Sequence, residues 1–310
     1  MPAPALLIPT LLACTLVPQA DSPPVDTGPL FTPDPAWSEP ERLQVATFNA
    51  DWLWDHEGGE YEPRTQVDFE MVGRLLWQHD LDLVALQEVD GEGALARLDL
   101  PPQYAWAVGE SGWSQNPAIL YDQTTLSVTD VREVPLPGTS WPSKDPLLAR
   151  VTWLEGDLSF TFVVVHLNPF EDEEEAQYRA MQVQELHRLL TEELPAEGSP
   201  WGDHVIVAGD WNDTFEGINS ELDTLAPFEQ DPAWTFATWD TTDYTQIGYR
   251  SKIDHILLSA PLVARYVDAG QPGACKVIAH DQLAPWSTYE GGWGGEQVVS
   301  DHRPVWIYLE

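Results

Sequence analysis

The chain has 310 residues, of which 43% are hydrophobic and 15 are tryptophan, enough for one large folded domain or two modest ones. Its 51 acidic residues outnumber its 14 basic residues and give a formal net charge of −37. Because nonspecific affinity for nucleic acid comes mainly from Lys and Arg beside phosphates, this charge excludes a polyanion-binding surface over most of the molecule. A solvated acidic surface suited to high salt is the simpler interpretation, and a polyanionic substrate would need a local cationic patch or a metal ion.

The first 41 residues are predicted to precede the folded domain. The apolar run Ala5–Val17 is too short to span a bilayer, and with the prolines around it this run predicts an export signal over residues 1–20. Residues 21–41 are rich in Pro, Asp, Thr and Ser, a composition that predicts a disordered tether.

The cysteines indicate how the predicted export signal would be processed. Leu11-Leu12-Ala13-Cys14 resembles the cleavage site of a bacterial lipoprotein, although no Lys or Arg precedes the apolar run and Leu12 fits that pattern poorly. The chain has 2 cysteines, so loss or lipidation of Cys14 leaves Cys275 without an intrachain disulfide partner, and a thiol zinc site is excluded. We expect an outer-membrane or surface lipoprotein, or else a periplasmic or secreted protein.

From residue 42 to residue 310, strand-like and helix-like segments alternate without an internal linker, which predicts a single domain. Leu43–Phe48 is predicted as a strand, Thr65–Asp80 as a helix and Leu83–Leu86 as a buried strand. This βαβ order is typical of an α/β domain. The remaining elements are a helix from Asp172 to Glu193 and strands at Pro117–Tyr121, Leu126–Val131, Leu148–Trp153, Phe160–Val165, Val205–Ala208, Ile253–Leu258 and Pro304–Leu309, with residues 235–249 unassigned.

Polar side chains follow several of these strands at the point where each strand ends. Asn49 follows Val45–Phe48, Glu88 follows Leu83–Leu86, His166 follows Phe160–Val165, and Asp210 and Asn212 follow Val205–Ala208. Each alone favours a structural role, since Gly-Asp and Asn-Asp are ordinary turn sequences. Two further clusters, Ser251–His255 and Ser300–Arg303, repeat the pattern. Because ligands of layered α/β folds bind at the carboxyl ends of strands, the repetition predicts one cleft.

These motifs, in this order, resemble those of the endonuclease/exonuclease/phosphatase superfamily. The matching motifs are Ala-Thr-Phe-Asn49, Leu-Gln-Glu88-Val, Val-His166-Leu, Gly-Asp210-Trp-Asn212, Lys-Ile-Asp254-His and Ser-Asp301-His302-Arg-Pro-Val. The resemblance covers about residues 42–310. It implies an α/β (α+β) four-layer sandwich, with two packed mixed β-sheets flanked by helices, and a catalytic domain that hydrolyses phosphoesters with a divalent metal.

The resemblance also implies roles for the residues of these motifs. Glu88 would bind Mg²⁺, with Asn49 and Asp301, because a hard cation that keeps several waters needs only one or two carboxylates; Mn²⁺ and Ca²⁺ are the alternatives. The metal would polarise a phosphoryl oxygen and stabilise the leaving oxygen. His302, oriented by Asp301, would act with Asp210 to align and deprotonate the attacking water.

Other motif residues receive supporting roles from the same resemblance. Asn212 would donate to the phosphate as charge builds in the transition state. His166 would lie near the leaving group or donate to the phosphate, and Asp254 would support a metal or the catalytic hydrogen-bond network. Tyr178, on the long predicted helix, matches a phosphate-contacting tyrosine of some members.

The pattern departs from that of many members in its basic residues. Ser114-Gln-Asn116 stands ahead of the predicted strand at Pro117–Tyr121, where many members carry an arginine, so a phosphate contact is missing there or supplied elsewhere. Scarce basic residues lie within a few positions of the motifs, and a local positive patch at the cleft is the favoured interpretation. These residues are Arg179, Arg250, Lys252 and Arg303.

Two other classes of function stay open. A carbohydrate enzyme would use paired carboxylates and aromatic faces, and tryptophans near glycines or motifs would suit it: Trp52, Trp54, Trp113, Trp211 and Trp293. Such an enzyme would not need Asn49, His166 and the Asp301-His302 pair together. A non-catalytic relative that acts as a binding module would not need every catalytic position filled.

Among phosphoesterases, a nuclease on DNA or RNA is the first expectation. A phosphodiesterase or phosphatase on a small or lipid phosphate is the alternative, which the charge of −37 favours. We expect a monomer that forms no stable complex with nucleic acid and contacts a membrane only through a lipid on Cys14.

Overall fold

Two six-stranded β-sheets pack against each other in the computed structural model, which describes residues 41–55, 64–136, 144–169, 172–196, 202–215, 222–283, 285–286 and 299–310. The predicted export signal and all but the last residue of the predicted tether lie outside these ranges, so both stay predictions. Within these ranges, none of the helices has the length and apolar character needed to cross a membrane.

The strands and helices alternate along the chain. The strands are β1 (Leu43–Leu53), β2 (Leu83–Val89), β3 (Tyr104–Val108), β4 (Asn116–Asp122), β5 (Leu126–Glu133), β6 (Leu147–Trp153), β7 (Leu158–His166), β8 (Val205–Asp210), β9 (Trp234–Phe236), β10 (Asp254–Ser259), β11 (Lys276–Val277) and β12 (Val305–Leu309). The helices are α1 (Gln66–Gln78), α2 (Glu92–Ala96), α3 (Glu173–Arg188), α4 (Leu194–Ala196), α5 (Ala226–Glu229) and α6 (Ala260–Val263), with a π-helical turn at Leu189–Glu193 and 3₁₀ turns at Ala237–Asp240 and His280–Gln282.

The first sheet has the order β11-β12-β1-β2-β4-β3, and the second has the order β5-β6-β7-β8-β10-β9. Each contains one parallel pair at its centre, β1 with β2 and β7 with β8, while the other pairs are antiparallel. The β1-α1-β2 unit confirms the predicted βαβ opening. Thr65 caps α1, since its hydroxyl accepts from the backbone N–H of Asp68 while Asp68 bonds back to the Thr65 N–H.

Three apolar layers hold the four structural layers together. Between the sheets, Val45 and Leu83 of the first sheet belong to one buried cluster with Phe160 and Ile206 of the second. The outer face of the first sheet packs on α1, and the outer face of the second packs on α3. This arrangement of helix, sheet, sheet and helix is the predicted four-layer sandwich.

The strands that were not predicted are β3, β9 and β11, and all three lie at sheet edges. These three strands are short and partly exposed, so they lack the apolar run that identified the central strands and the longer edge strand β5. The predicted helix to Glu193 is also interrupted, because α3 ends at Arg188 and a π-helical turn follows. The unassigned residues 235–249 contain most of β9 and one 3₁₀ turn.

The close packing of α1 leads to a prediction about Gly73. Alanine normally favours a helix over glycine by about 1 kcal/mol, but a Cβ at Gly73 would lie 1.7 Å from the carbonyl oxygen of Leu98. Gly73→Ala should therefore destabilise the protein by roughly 1–3 kcal/mol, as overpacked cores do, and thermal unfolding measures the change. Glu70→Ala, at an exposed position of α1, is the control and should leave the melting temperature nearly unchanged. A rise in melting temperature for Gly73→Ala would contradict this packing.

Candidate active site

The two parallel strand pairs bring their carboxyl ends to the same edge of the sandwich. In the first sheet Asn49 pairs with Gln87, next to Glu88, and in the second His166 pairs with Asp210. Asp254 begins β10 directly opposite Asp210. The side chains that the sequence placed at separate strand ends therefore meet where the two sheets come together.

The side chain of Asn49 links the two sheets at this edge. Its amide nitrogen donates to Glu88 Oε1 at 3.1 Å and to Asp210 Oδ2 at 3.0 Å. Its oxygen accepts from the backbone N–H of Asp51 at 3.0 Å, and the N–H of Trp52 donates to Glu88 Oε2 at 3.0 Å. The amide that was expected to bind metal thus holds two carboxylates in position.

His302 is paired with Asp254 rather than with its sequence neighbour Asp301. Nδ1 of His302 lies 2.8 Å from Asp254 Oδ2, whereas Asp301 Oδ1 lies 3.7 Å from Nε2. The expectation that Asp301 orients His302 is therefore corrected: Asp254 orients the ring. Nε2 is 3.9 Å from Asp210 Oδ2, so His302 stands between two buried carboxylates.

The charges around His302 and Asp210 shift their protonation. Burial opposes a charge on His302, but Asp254, Asp210 and Asp301 together outweigh it and hold the pKa of the ring well above its usual range. Burial, followed by the nearby Asp254, raises the pKa of Asp210 to about 7, and His302 and Asn49 oppose that rise. The site thus contains a histidine that keeps its proton and a carboxylate that titrates near neutral pH.

Lys144 is a member of the site that the sequence reasoning missed. It is buried, and its Nζ lies 3.1 Å from Nε2 of the buried His166. That ring nitrogen is also 3.7 Å from Glu88 Oε1 and 3.8 Å from Asp210 Oδ2. Burial lowers the pKa of Lys144 to about 8 against the attraction of Glu88 and Asp210, while burial and Lys144 lower the pKa of His166 well below its usual range. A neutral His166 can accept a hydrogen bond from a charged Lys144.

Asp51 is the second residue that was missed. It lies two positions after Asn49 in β1, and burial together with Asp301 and Glu88 raises its pKa to about 7. Mutual repulsion among three carboxylates at one place, partly relieved by Arg64, is the arrangement that a bound cation stabilises. Hard carboxylate oxygens suit a divalent cation such as Mg²⁺ or Mn²⁺. An acidic side chain two positions after Asn49 was the available signal, but the pairing of β1 is irregular between Asn49 and Leu53, so strand periodicity alone could not place it.

A second group could also hold a metal ion. One atom each of Asp210, Asp254 and His302 lies within 4.8 Å of the others, and all three residues are buried. The Oδ1 atom of Asp254 has no hydrogen-bond partner in the described part of the chain. Metal binding here would require Nε2 of His302 to lose its proton, which the surrounding carboxylates oppose, so the carboxylates of Glu88 and Asp51 form the better cation site.

The structure assigns supporting positions to several residues expected to contact substrate. Arg179 is buried on α3, where it pairs with Asp213 at 3.4 Å and donates to the Asn168 carbonyl, so we correct its expected role to support of the site. Lys252 likewise donates to two backbone carbonyls, those of Thr238 and Thr241, each at 2.9 Å.

Of the other residues expected to contact substrate, one is buried and the rest have groups that a ligand could reach. Arg303 is buried and holds Asp281 through two hydrogen bonds of 2.8 Å, so it adds no charge to a cleft surface. Tyr178 lies in a shallow depression on the outer face of α3, and Arg250 lies exposed on the loop before β10. The amide nitrogen of Asn212 donates to the Leu167 carbonyl at 2.9 Å, which leaves its second N–H for a ligand.

A comparison with protein families agrees with this geometry. The model of the Endonuclease/Exonuclease/phosphatase family matches residues 46–302. None of the curated proteins compared with the chain matches it. Among solved structures, an endonuclease/exonuclease/phosphatase from Bacteroides vulgatus superposes with a TM-score of 0.62 at 17% identity, over 87% of this chain and 98% of that one.

Two further structural neighbours differ in what their names say they are. The human nocturnin catalytic domain with bound sulfate gives a TM-score of 0.58 at 16% identity, over 87% of this chain and 94% of its own. A mannosyl-6-phosphatase from Bacteroides thetaiotaomicron gives a TM-score of 0.58 at 15% identity, over 86% of this chain and 100% of its own. Similarity at these low identities shows the shared fold alone. The substrate has to be inferred from the site.

The pairing of His302 with Asp254 is testable without any substrate. Asp254→Asn removes a carboxylate that favours the charged ring, so the pKa of His302 should fall and the ring should lose its proton at a lower pH. Histidine ring signals followed by NMR through a pH titration measure this change. Asp231→Asn removes a carboxylate 2.9 Å from His187, farther along α3, and should leave the His302 titration unchanged. An unaltered His302 pKa in Asp254→Asn would mean that the pair does not set its charge.

Proposed function

The chain belongs to the endonuclease/exonuclease/phosphatase family, whose members are divalent-metal-dependent hydrolases of phosphoester bonds, and we propose that it hydrolyses phosphodiester bonds in nucleic acid. The observation that carries the proposal is the buried set of Asp210, His302 and Asp254 beside the carboxylates of Glu88 and Asp51. A proton acceptor, a charged donor and a cation site within one small volume are what phosphoryl transfer from an ester to water requires.

Asp210 is the proposed base of this reaction. Its pKa of about 7 matches neutral operating conditions, where a carboxylate can both lose and accept a proton. His302 holds its proton under the same conditions and donates to a phosphoryl oxygen as negative charge develops there. Asp254 fixes the ring through Nδ1, so that Nε2 faces the substrate and Asp210.

Mg²⁺ is the proposed cofactor, held by Glu88, Asp51 and Asp301, with Asn49 orienting Glu88. When bound, such an ion supplies Lewis acidity to the phosphoryl group and neutralises charge on the leaving oxygen. Lys144 adds the cation that the motif pattern lacked ahead of β4, and with the second N–H of Asn212 it is positioned to receive a phosphate. These donors would offer a phosphate two contacts within a site that is otherwise rich in carboxylates.

A small or lipid phosphoester is the second candidate substrate, and the net charge of −37 is the observation that favours it. Long-range repulsion slows the approach of a long polyanion and leaves a short or singly charged ester less affected. This repulsion also disfavours a stable nucleic-acid complex, so the first candidate is a nuclease that releases its products readily.

Hydrolysis assays on the full chain test this function. Plasmid DNA, single-stranded DNA, RNA, bis(p-nitrophenyl) phosphate and mannose 6-phosphate would each be incubated with Mg²⁺ and with a chelator. We expect chelator-sensitive cleavage of phosphodiesters, and we expect Asp210→Asn and His302→Ala each to lower kcat by about 10²–10⁴-fold.

His187→Ala is the matched control, because His187 also contacts an aspartate at 2.9 Å but lies away from the site. It should retain wild-type activity. Cleavage of the sugar monoester alone would favour the second candidate. Full activity in both Asp210→Asn and His302→Ala would reject the mechanism.

The role of Lys144 has its own test. Lys144→Met keeps an unbranched side chain of nearly the same length and removes its charge, so kcat/KM for a phosphodiester should fall by about 10²–10³-fold, as on loss of a transition-state donor. Lys144→Arg restores the charge and should recover part of that loss. Circular dichroism melting separates this effect from misfolding, and equal activities of Lys144→Met and the wild type would show that the charge is not used.

A further inference from the structure

Several non-glycine residues adopt a left-handed backbone conformation, and some of them lie at the site. Aspartate and asparagine adopt positive φ comparatively easily, and they account for most such residues in the described part of the chain. The remaining four are Trp52, Glu88, Trp113 and Arg250, with φ between 52° and 64°. In side chains of this kind the conformation costs of order 1–3 kcal/mol and persists where surrounding contacts enforce it.

Two of these four belong to the site already described. Glu88, at φ 61°, presents its carboxylate to Asn49, and the N–H of Trp52, at φ 52°, donates to that same carboxylate. Backbone strain of this kind clusters at functional sites. Trp113 and Arg250 have the same left-handed conformation, and the proposed mechanism assigns them no role.

Trp113 lies on the loop between β3 and β4, which is tied to both sides of the site. Asn116 donates to the Trp113 carbonyl at 2.7 Å and to the carbonyl of Val89, the residue after Glu88, at 3.1 Å. On the other side, the N–H of Asp145, the residue after Lys144, donates to Ser111 Oγ at 2.9 Å. The loop is therefore held between the metal-binding carboxylate and the buried lysine.

The indole of Trp113 remains 70% exposed on this constrained backbone. An exposed tryptophan is costly to leave in water, and here its backbone is strained as well. Arg250, with the same strain, lies beside Tyr249, which is 79% exposed, on a loop whose Ile247 N–H donates to the Asp301 carbonyl at 2.8 Å. Exposed aromatic surface thus borders the site both near Glu88 and near Asp301.

We propose that Trp113 stacks on a nucleobase next to the scissile phosphate, so that the preferred substrate is a single-stranded nucleic acid; this inference rests on the proposed nuclease function. Bases of a single strand expose their faces, whereas those of a duplex are stacked on each other. Stacking on an aromatic ring is sequence-tolerant and needs no basic residue, so it adds affinity where a net charge of −37 weakens the binding of a polyanion.

Binding to two probes of equal charge tests the inference. Fluorescein-labelled oligothymidylate and an abasic strand of the same length, with tetrahydrofuran in place of every nucleoside sugar and base, would be titrated with the full chain in EDTA to prevent turnover. Fluorescence anisotropy should show about tenfold tighter binding of the base-bearing strand by the wild type. Trp113→Phe should keep most of this preference, and Trp113→Ala should bind both strands equally.

Leu154→Ala is the control, since Leu154 is 54% exposed on the hairpin between β6 and β7, at the opposite end of the sandwich. It should behave as the wild type does. A wild type that binds both strands equally, or neither, overturns the inference, as does a preference that survives in Trp113→Ala. Hydrolysis of bis(p-nitrophenyl) phosphate is read separately, so loss of the strand preference with hydrolysis intact rejects only the stacking role, whereas absence of hydrolysis rejects the proposed function.

Discussion

The amide of Asn49 is the contact on which the geometry of the site depends. It lies at the boundary between the two sheets and donates to one carboxylate of each, Glu88 and Asp210. A neutral donor is suited to this place because a buried carboxylate and a partly buried one at such proximity repel each other and lose hydration. The backbone is fixed there too: the Ser300 hydroxyl donates to the Asn49 carbonyl and accepts from the His302 N–H. The two halves of the site are thus held in one register.

Positive charge is used sparingly and mostly in the interior. Arg179 and Arg303 are buried against Asp213 and Asp281, where removal of one partner would leave an uncompensated charge. Lys144 and the protonated ring of His302 lie close to Asp210, and Arg64 lies close to Asp51. Because these charges act in a buried setting, they are screened by salt much less than charges on the surface. We therefore expect the interactions within the site to depend less on ionic strength than the long-range repulsion from the acidic surface does.

The central architecture could be predicted from the sequence because buried strands have a recognisable pattern. Runs such as Phe160–Val165 are apolar on both faces, and the polar residue that ends each run marks the edge where ligands bind. Edge strands such as β3 carry no such signal. The partner of His302 could not be predicted, since Asp301 is adjacent in sequence while Asp254 is 48 residues away and becomes a neighbour only through sheet packing. Lys144 was missed because it is also distant in sequence from His166, the residue that it contacts. The burial of Arg179 could have been predicted, because it occupies the same helix face as Ala176 and Val183.

Division of the site between two sheets has a consequence for how function relates to folding. Asn49 and Glu88 belong to one sheet, while His166, Asp210 and Asp254 belong to the other. A partly folded chain with only one sheet formed would hold acidic groups from one half of the site and lack the contacts that join the two halves. For the hydrolase proposed above, we therefore expect activity to be lost together with the apolar layer that joins the two sheets.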